Sequence, residues 1–125
     1  MRVNLSDGEW KLMNRLWESS PMTITELTAA LREETLWSKH TVITMLARLE
    51  DKGAVRYEAG PRAKRFFAAL PREDAALAET GDFLNKVFGG SLGVMVNTMV
   101  GSRALTEEDI AELSAILEKA REGRP

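Results

Sequence analysis

The sequence predicts a mainly α-helical chain of 125 residues with one small β hairpin, organised as an N-terminal domain over residues 1–70 and a C-terminal helical domain over residues 71–125. Three observations predict it. Helix starts are marked by Ser and Thr capping signals, the apolar period changes from helical to alternating after residue 53, and the charge changes sign near Pro71. Residues 1–70 carry eleven Lys and Arg against nine Asp and Glu, whereas residues 71–125 carry six against ten. With 44% hydrophobic and 29% charged residues, the chain is expected to bury a core.

The first helix is announced by Leu5 and then Ser6-Asp7-Gly8-Glu9, in which the Ser6 side chain is placed to accept from a first-turn amide while Glu9 reaches back to the Ser6 amide. Its buried face is expected to hold Trp10, Met13, Leu16 and Trp17, and Ser19-Ser20-Pro21 stops it because proline disfavours helix in the residue before it. Thr23-Ile24-Thr25-Glu26 repeats the box ahead of a shorter helix with Leu27, Ala30 and Leu31 inward. Ser38 then caps a third helix whose inward face is Val42, Met45, Leu46 and Leu49, and Lys52-Gly53 ends it, glycine suiting a left-handed position. Residues 54–58 and 64–70 have strand character around a turn at Ala59-Gly60-Pro61-Arg62-Ala63. Helix, helix, helix, hairpin is the order of a winged helix-turn-helix, in which the third helix lies in the DNA major groove and the hairpin rides on the backbone beside it.

Composition narrows the chemistry. Zero cysteines exclude a disulfide framework, a thiolate metal site and a cysteine nucleophile, and the single histidine excludes a site built on two imidazoles. His40 and Ser38 lack an evident orienting carboxylate, so an enzyme is not expected. Gly89-Gly90-Ser91 is followed by no Gly-Lys-Ser/Thr and reads as a hinge between helices, not a phosphate loop. Four of the six methionines, Met13, Met45, Met95 and Met99, fall on apolar stripes, so neither a metal nor any other cofactor is expected. No apolar run reaches the roughly 20 residues of a membrane span, and the start MRVNLSDGEW lacks the apolar core of a signal peptide, so a cytoplasmic protein without direct membrane insertion is expected.

The positive charge is concentrated between Thr35 and Arg65, where seven basic residues face three acidic ones. With the inward face of the third helix fixed, Lys39, His40, Thr41, Thr44 and Arg48 fall largely on its other side, a polar and basic surface suited to base edges and phosphates. A solvated charged face is the plainer reading of the same residues.

The C-terminal part carries apolar stripes at Leu77, Phe83, Leu84, Val87 and Phe88, at Leu92, Met95, Val96, Met99 and Val100, and at Ile110, Leu113, Ile116 and Leu117 behind a cap spanning Thr106 to Asp109. Three short amphipathic helices would struggle to enclose so much apolar surface alone, which points to a partner subunit. The interface is expected at Phe83, Leu84, Phe88, Leu92, Met95, Val96, Met99, Ile110, Leu113 and Leu117, and a self-contained bundle is the alternative. Two-fold symmetry would match a palindromic operator.

The pairs Glu9-Trp10 and Leu16-Trp17, then Trp37-Ser38 with Thr41-Val42, Arg48-Leu49, Lys52-Gly53-Ala54, Phe88-Gly89-Gly90-Ser91-Leu92 and Leu105-Thr106-Glu107-Glu108 resemble the penicillinase-repressor family, also called BlaI/MecI, to which the copper-responsive CopY repressors belong. The resemblance runs from Leu5 to about Lys119. It implies a winged-helix DNA-binding domain, a helical dimerisation domain and repression from palindromic, double-stranded operator DNA. Carried onto this chain, the DNA-facing residues are Ser38, His40, Thr41, Thr44 and Arg48 of the third helix with Arg62, Lys64 and Arg65 of the wing. Position 40 is often lysine in the family, whereas His40 here follows Lys39, so the basic contact moves by one position or becomes pH-sensitive. The copper-sensing branch uses cysteines that this chain lacks. In the best-known members a membrane-bound sensor peptidase, acting on a β-lactam signal, leads to cleavage in the helix after the Gly-Ser-Leu-like break. Their Asn-Phe bond aligns with Thr98-Met99 here. Release by a small-molecule ligand, and a winged-helix interaction module without DNA binding, stay open as alternatives.

Overall fold

The computed structural model describes residues 3–123, so the outermost residues of the two expected domains, 1–2 and 124–125, lie outside the described part. It contains α1 (Asp7–Glu18), α2 (Ile24–Leu31), α3 (Lys39–Asp51), β1 (Val55–Ala59), β2 (Lys64–Ala68), α4 (Arg72–Phe88), α5 (Leu92–Gly101) and α6 (Glu107–Glu122). Two compact units divide within α4, the first ending at Thr80 and the second starting at Gly81. The division lies beyond Leu70, the end expected for the first domain, and Ala75 of α4 is buried with the core of the first unit.

Local chemistry starts each helix. Ser6 and Thr23 cap α1 and α2 with complete boxes: each hydroxyl accepts from the backbone of Glu9 or Glu26, and each glutamate accepts in return from the cap amide. Such caps contribute about 1 kcal/mol each. α1 stops at Glu18 with Ser19 as C-cap. α3 ends as the glycine signal predicts, with Gly53 at φ +79°, a left-handed conformation that a Cβ would strain.

The core of the first unit is made by Leu12, Met13 and Leu16 of α1, Leu27 and Leu31 of α2, and Val42, Met45, Leu46 and Leu49 of α3, closed by Val55 and Phe66 of the hairpin. Fully burying one such side chain is worth about 1.5–3 kcal/mol. Two expectations for α1 and α2 are corrected. Trp10 and Trp17 are half-buried at the core's margin, not inside it, and Leu12 takes the central place; Ala30 is likewise only half-buried. The physical reason for the tryptophans is size and polarity. Their rings meet edge to face with centroids 5.6 Å apart, and the Trp17 indole N–H donates to the Leu70 carbonyl at 2.9 Å, a bond that holds the ring at the edge.

The hairpin is antiparallel, with Val55 opposite Ala68, Tyr57 opposite Phe66 and Glu58 opposite Arg65. β1 is displaced by one residue from the expected 54–58, and β2 ends at Ala68 instead of Leu70. The amides of Ala69 and Leu70 turn back to donate to the Ala54 carbonyl, so they leave the ladder. A feature with no sequence signal adds a third rung: Met22 and Phe66 exchange both backbone hydrogen bonds, at 3.0 and 2.8 Å, which pairs the segment before α2 with the outer edge of β2.

In the second unit, Gly89 and Gly90 have φ +59° and +85°, the sharp break expected between helices. Ser91 caps α5, and Thr106 with Asp109 forms a full capping box on α6. α4 is a 17-residue helix. No residue of α5 or α6 is buried within this single chain. Among the described residues, no helix is long and apolar enough to cross a membrane.

Candidate nucleic-acid interface

α3 turns Val42, Met45, Leu46 and Leu49 into the core, which leaves Lys39, His40, Thr44 and Arg48 exposed on the other side. Helical period alone produces this division. The first turn is internally bonded: Ser38 Oγ accepts from the Thr41 amide at 3.2 Å and lies 3.2 Å from Thr41 Oγ1, and Thr41 is half-buried. Thr44 Oγ1 donates to the His40 carbonyl at 3.1 Å. These hydroxyls are therefore engaged within the helix, with acceptor capacity left over. The exposed side also carries Ile43 and Ala47, which the sequence reading passed over. Both line a cleft of ≈ 140 Å³ between α3 and the hairpin, with Ile24, Leu46, Glu50, Tyr57, Lys64 and Phe66.

The wing residues are exposed but do not share a face. Arg62 lies in the turn at the tip, closed by the Gly60 amide donating to the Ala63 carbonyl at 3.1 Å. Strand alternation then sends Lys64 and Arg65 to opposite sides. Lys64 Nζ lies 4.2 Å from the Tyr57 ring centroid, while Arg65 pairs in register with Glu58. Arg56, absent from the expected wing set, joins the Arg65 side and stacks its guanidinium 4.1 Å over Phe67. Period-two alternation was the signal that could have found it. Lys52, although within the basic stretch, points inward: its Nζ donates to Glu9 Oε1 at 2.5 Å and to the Asn4 carbonyl at 2.8 Å.

Glu9 is 2% exposed, the one buried charged side chain among the described residues. Burial pushes its carboxyl up, but the Lys52 hydrogen bond, the Ser6 amide and the Lys52 charge together outweigh burial and hold it below the usual carboxylate value.

The residues expected to join subunits all lie in the second unit. Phe83, Leu92, Ile110, Leu113 and Leu117 are exposed, Leu92 to 56% and Leu117 to 64%. Leu84, Phe88, Met95, Val96 and Met99 are half-buried, and the Phe83 and Phe88 rings meet at 5.9 Å. Thr98 and Met99 sit inside α5, where Thr98 Oγ1 donates to the Val94 carbonyl at 2.8 Å. Among the described residues there is no cluster of three or more His, Cys, Asp or Glu side chains placed to hold a metal ion.

Three packed helices, a capped third helix with an exposed polar face, and a two-stranded hairpin carrying arginines define the winged helix-turn-helix class. A family model described as the penicillinase repressor matches residues 5–119, and the chain belongs to that family. It is 31% identical over 115 residues to the penicillinase repressor of Bacillus licheniformis, covering 92% of this chain and 90% of that one. The solved DNA-binding domain of the repressor BlaI resembles it with a TM-score of 0.53 and 29% identity, over 59% of this chain and 93% of that domain. Bacillus licheniformis BlaI, solved in monomeric form with the blaP half-operator, gives a TM-score of 0.51 and 30% identity over 57% of this chain and 87% of that one.

Proposed function

We propose that the protein is a homodimeric transcriptional repressor, acting in the cytoplasm, that binds a palindromic operator through α3 and the wing. The observation that carries this reading is the exposed face of Lys39, His40, Thr44 and Arg48 on a helix whose opposite face is fully used by the core. The family relation supports it, because the BlaI relative is solved with a half-operator. In this reading Ser38, Lys39, His40, Thr41 and Thr44 meet the groove at the N-terminal part of α3, Arg48 clamps a phosphate, and Arg62, Lys64 and Arg65 approach the neighbouring backbone with different faces of the hairpin. The apolar stripes around Phe83, Leu92 and Leu113 join the two copies.

Gel shifts with the protein's own upstream intergenic DNA at varied salt test the reading. Arg48→Ala is expected to weaken binding about equally across sequences and to flatten the slope of log affinity against log salt by about one. Thr44→Ala is expected to change sequence preference instead. If neither substitution alters affinity for any fragment that the wild type binds, α3 is not the reader.

Repression ends, in this proposal, by a cut at Thr98-Met99 made under the control of a membrane-bound sensor peptidase. A cut there would detach Met99, Ile110, Leu113 and Leu117, four of the ten expected interface residues, from the DNA-reading unit, and so weaken the link that makes the repressor a bivalent ligand. Because the bond lies within α5, that helix must unwind locally before a peptidase can hold it extended. Co-expression with an adjacent sensor peptidase, addition of inducer and fragment mapping by mass spectrometry are expected to locate the cut in α5. An intact chain alongside full derepression would show that release works through a ligand.

A further inference from the structure

We propose that Glu9 and Lys52 form a positioning clamp for the DNA-reading helix, and that Lys52 is not itself a DNA contact. The inference rests on the DNA-binding reading above and adds residues to it that carry no expected role there. The pair joins two stretches of chain, the start of α1 and the end of α3: Glu9 Oε1 accepts from Lys52 Nζ at 2.5 Å and from the Ser6 amide at 2.7 Å, while the same Nζ donates to the Asn4 carbonyl at 2.8 Å. The ammonium is thereby committed inward, with two of its three donors used, although its side chain is 38% exposed and sits in the basic stretch. A buried carboxylate 2% exposed tolerates no loss of that partner, so the pair fixes one geometry where a surface lysine would sample many.

Lys52 is the C-cap of α3 and its amide donates to the Arg48 carbonyl at 3.1 Å, so whatever holds Lys52 also holds the helical turn that carries Arg48. Ser6, Glu9, Arg48, Asp51 and Lys52 line one open hollow at this end of the helix. The core fixes the rotation of α3 through Val42, Met45, Leu46 and Leu49, and the clamp fixes its C-terminal end against the start of α1. Base readout depends on placing side chains to within a fraction of an ångström, whereas attraction to phosphates does not.

The test compares full-length wild type, Glu9→Gln and Lys52→Met in gel shifts against specific and nonspecific DNA over a salt series, with amide hydrogen exchange across α3. Both variants are expected to lower the ratio of specific to nonspecific affinity about tenfold, to leave the salt slope unchanged, and to speed exchange at residues 49–54. A role in stability alone would lower both affinities by the same unfolded fraction and leave the ratio intact, which would overturn the proposal. So would a salt slope that falls by about one in Lys52→Met alone, the mark of a phosphate contact. Should Lys52→Met, which leaves the buried Glu9 carboxylate unpaired, fail to fold, the double variant Glu9→Gln with Lys52→Met, in which no buried charge remains, carries the same test. If the wild type binds no fragment specifically while exchange at 49–54 still rises in the variants, the DNA reading fails and the clamp is only structural.

Discussion

Ending the chain after Thr80 is expected to lower operator affinity by about 10²- to 10⁴-fold while leaving the first unit folded. The magnitude follows from bivalency: once one α3 is seated, a linked second copy meets its half-site at a high effective concentration, and the truncated chain loses that advantage without losing any contact to DNA. Thr80 is the right place to cut because the first unit reaches that far and Ala75 is part of its core; a cut after Pro71 would remove Ala75 and confound affinity with stability. Leu92→Asp offers the same test in the full-length chain. Leu92 is 56% exposed in the single chain, so in a monomer the substitution should change stability by no more than about 0.5 kcal/mol. In a dimer with Leu92 at its interface, it buries an unpaired charge and should abolish association. Sedimentation velocity decides the matter: a full-length wild type that runs as a monomer at tens of micromolar overturns the dimer, whatever the gel shifts give.

What the sequence made legible was local. The boxes Ser6 to Glu9, Thr23 to Glu26 and Thr106 to Asp109 each form within three residues, and all are present in the structure as read. The inward face of α3 followed from helical period, and Lys39, His40, Thr44 and Arg48 are exposed opposite it, whereas Thr41 is half-buried and the apolar Ile43 and Ala47 share the exposed side without having been singled out. The losses were all long-range or side-chain-specific. Nothing near Met22 signals that it pairs with Phe66, and nothing near Glu9 signals Lys52, since those partners meet only when the fold brings them together. The resemblance placed Lys64 and Arg65 together in the wing without assigning faces, and adjacency in a strand puts them on opposite ones. In α1 the two tryptophans drew the expected core stripe toward themselves. Trp10 and Trp17, seven residues apart, lie on the flank of a face centred on Glu9, Leu12, Met13 and Leu16.

That displaced face gives the second large effect. Leu12→Ala is expected to cost about 3–5 kcal/mol, since Leu12 is fully buried in a core that all three helices contribute to and its truncation leaves a cavity there. A unit of this size is stable by about 4–12 kcal/mol in total, so the substitution removes a large share of it and should lower the melting temperature by about 15–30 °C. Leu36→Ala provides the contrast: that side chain is 100% exposed in the turn before α3, and its removal should shift stability by no more than about 0.5 kcal/mol. Thermal unfolding of the two variants followed by circular dichroism separates a core centred on Leu12 from one centred on the tryptophans. Equal melting temperatures for Leu12→Ala and wild type would place the packing centre of α1 on the Trp10 and Trp17 flank instead, and with it the surface against which α3 is held.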